Sequence, residues 1–196
     1  MAGYKAERSE PIKNGILIDA VIGEEAPYYM SSMKEVDIGE MLRLQKQVFM
    51  EDNLNVLWFY PFKSLELKSI LKIENNIVIG VFVRERLIAF RVGCCCGREY
   101  QEIVSALGGR YKEIPCFLMN GAFVENRYRG NNLQQMMSQY SIDRCREIGI
   151  KTFLTAIHPD NASSIKSLTN IGFEVRARKM LYNNKYDRTI LVKEES

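Results

Sequence analysis

The residues with the clearest chemical capacity lie between positions 120 and 134, in the string NGAFVENRYRGNNLQ. Two arginines, Arg127 and Arg129, and one glycine, Gly130, fill a short polar break. Before it, the apolar run 116–124 reads as a buried strand; after it, Leu133, Met136, Met137 and Tyr140 recur at helical spacing. A strand, a tight loop and a helix N-terminus together make an anion site. The first helical turn carries N–H groups without partners, and its dipole favours negative charge. A loop that aims successive N–H groups inward adds a nest for phosphate oxygens. The plain alternative for both arginines is a solvated face.

The rest of the chain must position that loop. Its 196 residues suit one domain with a full core, and 46% hydrophobic with 26% charged residues is ordinary for a globular protein. A net charge of +3, spread along the chain, argues against a nucleic-acid partner. Apolar stretches such as 81–83 are short, so no membrane span is expected. The first thirteen residues are charged and lack an apolar run, so no secretory signal is read and a cytoplasmic location is expected. Five cysteines without C-x-x-C spacing and one histidine, His158, fit neither a disulfide framework nor a metal centre. The cysteines are expected to be reduced and mostly packed as small hydrophobes.

In chain order, strands are predicted over 16–22 and 28–33. A helix follows to about Glu51, with Asp37 as N-cap and Glu40 completing a capping box. An aromatic connection, 53–62, leads to a helix capped by Ser64. Residues 77–83 and 87–92 read as a hairpin, and 94–113 as an insert with a short helix over 100–107. After the central strand and helix come a strand over 151–157, a helix over 162–170 and a final hairpin around Asn183 and Asn184, a pair that tolerates positive φ. A strand–helix–strand unit among antiparallel pairings gives a mixed sheet with helices on its faces.

The string 129–134, RGNNLQ, resembles the acetyl-CoA loop of the GNAT N-acetyltransferase superfamily, Gln/Arg-x-x-Gly-x-Gly/Ala. Arg129 fits the first position; Asn132 and Gln134 stand where that pattern has glycine and glycine or alanine. Downstream, PDNASS and NIGF, with Asn161, the following helix and Gly172-Phe173, are similar to the family's C-terminal third. The element order is also the family's, and the likeness covers about 28–193, with 1–26 as an N-terminal extension of a single domain. The implied fold is α/β (α+β): a mixed, mostly antiparallel sheet with a splayed parallel strand pair and helices on both faces.

The resemblance implies acetyl transfer from acetyl-CoA to a primary amine, by direct attack in a ternary complex, without a metal. It implies that the backbone of Ala122, Phe123 and Val124 holds the pantetheine arm, as an added strand would. The N–H groups of Arg129, Gly130, Asn131, Asn132, Leu133 and Gln134 would hold the pyrophosphate, with Asn161 a further contact; Phe123 and Val124 also read simply as core. Asparagine is the mildest non-glycine residue where φ is positive, so Asn132 is compatible with the loop, although a decayed loop is the alternative.

An alkylamine with a pKa near ~10 needs a base, and Glu125 and His158 are the candidates; His158 also reads as a plain turn residue. The tyrosine that many members place seven residues after the asparagine is replaced by Leu168. A thiol of pKa near ~8.5 leaves with little help, and Ser164, Tyr182 or Tyr186 are substitutes. Trp58, Phe59, Tyr60 and Phe62 fall where an acceptor pocket is implied, or pack the core. The expected partner is a small-molecule or peptide amine, on a monomer or homodimer. The other reading is a non-catalytic acyl-CoA-binding module.

Overall fold

A computed structural model describes residues 10–51, 59 and 61–195. Trp58 and Tyr60, two of the expected pocket aromatics, lie outside the described residues. One eight-stranded sheet runs in the order β1-β2-β3-β4-β5-β6-β8-β7. Its strands are β1 (Lys13–Ile18), β2 (Glu25–Ser32), β3 (Ile77–Val83), β4 (Arg86–Cys94), β5 (Cys116–Val124), β6 (Thr152–Ile157), β7 (Glu174–Leu181) and β8 (Tyr186–Glu194). The helices are α1 (Ile38–Glu51), α2 (Ser64–Leu71), α3 (Arg98–Leu107), α4 (Leu133–Glu147) and α5 (Ala162–Thr169). Every strand pair is antiparallel except β5 with β6, as the mixed-sheet reading requires.

Side-chain alternation in the strands assigns the helices to two faces. Phe90, Val92 and Cys94 of β4 point to one face, under Met41 and Leu44 of α1, Leu67 of α2, and Ile103 and Val104 of α3. Ile79, Val81 and Ile88 point the other way, under Leu133 and Met137 of α4. Phe117, Met119 and Phe153 continue that second layer beneath Ile142 and Cys145 of α4 and Leu168 of α5. All five cysteines are free thiols, and Cys94, Cys116 and Cys145 are buried in these layers. No described helix is long and apolar enough to cross a membrane.

Several boundaries differ from the sequence expectation. The first strand covers 13–18 rather than 16–22, because a turn closes at Asp19, which accepts from the Gly23 N–H at 2.7 Å. Val21 and Ile22 continue the apolar pattern but sit in that turn, 72% and 53% exposed. Asp37 is not the N-cap of α1; it closes a preceding 3₁₀ turn, where its carboxylate accepts from the Lys34 N–H at 2.8 Å. Ser64 is the first helical residue rather than the cap, and Glu66 reaches back to the Lys63 N–H at 3.3 Å.

The feature that positions the site is the short contact between the parallel strands. Cys116, Phe117 and Leu118 pair with Thr152, Phe153 and Leu154, and there the ladder ends. One residue further on, the buried Thr155 hydroxyl donates to the Met119 carbonyl at 3.0 Å. Beyond that link the strands part into a fork. On its other edge β5 is irregular too: Val92 faces Gly121 while Gly93 faces Met119, so Asn120 is bulged out of register. Thr155→Val should remove the hydroxyl at the apex of the fork and lower stability by about 1–2 kcal/mol, read as a reduced urea midpoint. An unchanged midpoint would show that this bond contributes nothing to closing the fork.

Candidate functional site

At the end of β5 the Glu125 N–H still donates to the Ile88 carbonyl, at 2.9 Å, and a 3₁₀ turn, Asn126–Tyr128, then reverses the chain. Gly130 follows with φ +84°, and Asn132 adopts the left-handed conformation at φ 55°, ψ 23°, immediately before α4. Two positive-φ residues within three positions turn the chain sharply enough to present the first turn of α4 to the fork. Asparagine tolerates that conformation because its short side chain crowds the backbone little. Among the described residues, no atom beyond its chain neighbours lies within 4 Å of where a Gly130 side chain would begin, so the backbone there borders open space.

Neighbours hold this loop rigidly. The Asn131 side chain donates to the Ile18 carbonyl and accepts from the Ile18 N–H, both at 2.8 Å, and it also donates to the Tyr128 carbonyl at 3.0 Å. Arg127 forms an ion pair with Asp19, and its carbonyl accepts from the Ala20 N–H at 2.8 Å. The Arg129 guanidinium turns back to the Val124 carbonyl at 3.2 Å. Arg127 therefore ties the loop to the β1–β2 turn instead of forming a simply solvated face.

Ala122, Phe123, Val124, Arg129, Gly130, Asn132, Leu133, Gln134 and Asn161 line one cleft of roughly 510 Å³, together with Ser164. Asn131 borders a neighbouring hollow of roughly 710 Å³ between β1, β2 and α4, away from the fork. Asn161 caps α5, its side-chain oxygen accepting from the Ser164 N–H at 3.1 Å. A narrow crevice of roughly 70 Å³ continues from the cleft through the fork, between Asn120 and Gly121 of β5 and Thr155 and Ala156 of β6. Gln134 and Ser164 reach it from the α4–α5 face, and Phe59 from the other, so it passes through the sheet. Leu168 also lines the crevice. Phe59 and Phe62 pack against Phe123, with ring centroids 4.5 and 6.3 Å away, so both belong to the core around the fork.

Glu125 and His158 are not brought to that crevice. Glu125 is 4% exposed; one carboxylate oxygen accepts from Arg86 at 3.0 Å, and the other is buried without a partner among the described residues. Glu125 thus faces the β3–β4 turn. His158 uses Nδ1 to accept from the Asp160 N–H at 3.2 Å, which organises the turn after β6. Neither residue lines the cleft or its extension.

Two other titratable side chains do reach the fork, and the sequence reading did not single them out. Arg91, 2% exposed, lines the crevice from β4; its Nε has no hydrogen-bond partner among the described residues, and burial lowers its pKa to about 10. The signal was an arginine within the run LIAFRVG, where alternation alone suggests burial.

Glu99, at the start of α3, hydrogen-bonds the bulged Asn120 from the α1–α2–α3 face. Burial is the main cause that pushes its pKa up to about 7; the Asn120 bond and Arg188 oppose the rise, and Glu66 and Glu102 add to it. It lines a pocket of roughly 320 Å³ with Glu66, Arg98 and the tip of the β7–β8 hairpin. That tip carries Tyr182, Asn183 and Asn184 at φ 56°, 61° and 57°. Its Tyr182 and Asn183 N–H groups both donate to Glu102. The Tyr182 and Tyr186 rings meet edge to face, 5.8 Å apart, with the Arg188 guanidinium against both.

No protein-family model and no curated protein sequence matches the chain. Solved structures do match its fold. An acetyltransferase of the GNAT family from Listeria monocytogenes aligns with a TM-score of 0.68 at 10% identity, over 93% of this chain and 100% of that one. A putative acetyltransferase from Salmonella typhimurium, solved with its cofactor acetyl-CoA, gives 0.62 at 12% identity, over 85% and 93%. An N-acetyltransferase from Thermoplasma acidophilum in complex with coenzyme A gives 0.64 at 10% identity, over 86% and 99%. At these identities the likeness is one of fold, and the fold is that of the GNAT acetyltransferases.

Both buried charges have measurable consequences. Arg91→Met should stabilise the free protein by roughly 1–3 kcal/mol, because it replaces a buried cation whose Nε has no partner among the described residues with an apolar chain of similar length. A lower urea midpoint would mean that the guanidinium is satisfied. Glu99 binds its proton more tightly folded than unfolded, so its stabilising contribution is full below the ordinary carboxylate range and is lost as pH rises through about 7. Glu99→Gln should flatten the fall in thermal stability between about pH 5 and 8, by up to roughly 3 kcal/mol at the alkaline end. An unaltered pH slope would place the carboxylate in water.

Proposed function

We propose that this chain is an acetyl-CoA-dependent N-acetyltransferase that acts on a primary amine by direct attack in a ternary complex. The observation that carries the reading is the forked β5–β6 pair, open to a loop whose Gly130 and Asn132 both have positive φ and lead into α4. The residues present fit the cofactor. The loop borders open space at Gly130, the cleft continues into the crevice through the sheet, and the exposed edge of β5 offers an arm a strand to pair with. When bound, acetyl-CoA supplies an acyl group activated as a thioester.

The chain's own part is chiefly placement. The loop and the first turn of α4 hold the phosphates, and β5 from Ala122 to Val124 aligns the arm. A β5 N–H near Val124 is suited to the thioester oxygen, where charge develops. Placing the amine in line with the thioester carbon supplies several kcal/mol without a reacting side chain. Glu125 and His158, the two candidate bases, lie outside the cleft and crevice, which argues against either as the base. A second reading, a binding module that holds acyl-CoA without turnover, is favoured by Leu168, which leaves no hydroxyl at the usual acid position.

Acetyl-CoA at a hundred times its dissociation constant should stabilise the chain by ~2.7 kcal/mol, seen as a thermal shift. Asn132→Gly should keep or increase that shift, whereas Asn132→Val should reduce it, since a β-branched residue resists positive φ. Equal shifts for all three proteins would remove Asn132 from the phosphate cradle. No shift in the parent protein would remove the cofactor.

A further inference from the structure

Arg91 stands apart from other buried charged side chains of the chain. Asp19 pairs with Arg127, Glu125 with Arg86, and Arg188 donates to the Asp187 carbonyl at 2.8 Å. Arg91 is 2% exposed, and its Nε has no partner among the described residues. Burial is the cause that lowers its pKa, with no carboxylate acting on it, and at about 10 the guanidinium is still charged at neutral pH. A dry cation without a counter-ion is costly, and nothing in the free protein offsets that cost.

Its placement says what could offset it. On β4, Arg91 lies across from Ile79, which packs under α4, and from Ala122 of β5. Ala122 lines both the cleft and the crevice, and Arg91 lines the crevice beside it. No acidic side chain among the described residues lines either space. The inner end of the cleft is therefore positive. The loop from Arg129 to Gln134 keeps the phosphates of a nucleotide donor at the outer end, and a crevice of roughly 70 Å³ is too narrow for them. The part of a donor that reaches Arg91 is its acyl end. A methyl group there buries the guanidinium further and bonds none of its N–H groups; a carboxylate gives it a charge-assisted, two-point partner.

We propose that Arg91 selects the acyl group, and that this site takes coenzyme A thioesters whose short acyl chain ends in a carboxylate, of the malonyl or succinyl kind, in preference to acetyl-CoA. The proposal rests on reading the cleft as an acyl-CoA site and narrows its donor: acetyl-CoA enters the same cleft but brings Arg91 no counter-charge. A thioester carbonyl near Val124 is two strand residues, about 6.5 Å, from Ala122, a span that a short acyl chain with its carboxylate covers. The transfer balances as it does for an acetyl group. The C–N bond forms and the C–S bond breaks, one ammonium proton goes to water and a second to the departing thiolate, and the carboxylate is carried over unchanged. The product amide therefore bears a negative charge where the acceptor bore a positive one.

The test is calorimetry on the full chain with two matched pairs of donors, malonyl-CoA against propionyl-CoA and succinyl-CoA against butyryl-CoA, with acetyl-CoA as the reference. The members of each pair have equal numbers of acyl carbons and differ in the terminal carboxylate. At least one carboxylate-ended donor should bind about tenfold tighter than its neutral match, or better, and tighter than acetyl-CoA. Arg91→Met should bring the members of both pairs within about threefold of each other. Arg91→Lys keeps the charge without the planar fork and should retain an intermediate preference, which a merely structural arginine would not produce. The comparison within the parent protein stands by itself if a variant does not fold.

If acetyl-CoA binds but both carboxylate-ended donors bind within about threefold of their neutral matches, the proposal is overturned while the parent reading stands. A preference that persists undiminished in folded Arg91→Met overturns it as well. If none of the five thioesters binds, the parent reading fails first and takes the proposal with it.

Discussion

A three-residue ladder between two parallel strands governs this molecule. Parallel pairing requires a crossover, here α4, and once formed it ordinarily continues along both strands. In this chain it stops at Leu118 and Leu154, and the hydroxyl of Thr155 makes the last connection. The strands stay apart because each is held on its far side: β5 along β4 as far as Val124, and β6 along β8 as far as Ile157. Two firm antiparallel blocks thus share one short seam. Beyond the seam β5 and β6 no longer pair with each other, and α4 begins at its mouth.

Much of this was legible in the residues. The run 116–124 is apolar except for Asn120 and ends in a polar turn with a glycine, and the strand has those limits. The positive φ at Asn132 followed from asparagine in a glycine-like place. What escaped depended on contacts far apart in the chain. The Asn131 side chain bonds a residue 113 positions away, and nothing local distinguishes it from a loop asparagine. Glu99 lies in an insert that reads as irregular, and its neighbours Asn120, Glu66 and Arg188 come from three other elements. Val21 and Ile22 misled for the opposite reason, since apolar side chains continued a strand pattern into an exposed turn.

Burial has been used unevenly around the fork. The core layers are mainly apolar, yet Arg91, Glu99 and Glu125 each keep a buried atom with no bonding partner among the described residues. Each costs stability in the free protein. Such groups are tolerated where a reacting system benefits from a dry, fixed charge, because preoriented dipoles and ions do not have to rearrange as charge develops. The tip of the final hairpin follows the same logic. Three consecutive left-handed residues hold their conformation because Glu102 collects the N–H groups of two of them.

The stitch between Asn131 and Ile18 joins the loop to β1, an edge strand of the sheet. Ile16 and Ile18 are 62% and 49% exposed, so little apolar burial secures that strand's outer surface. Fraying of β1 and slackening of the loop are therefore one event, and thermodynamic reciprocity follows. Whatever steadies the loop therefore slows hydrogen exchange at the β1 amides, and whatever peels the edge strand away slackens the loop in equal measure. The outermost strand thus acts as a tensioner for the turn that opens α4.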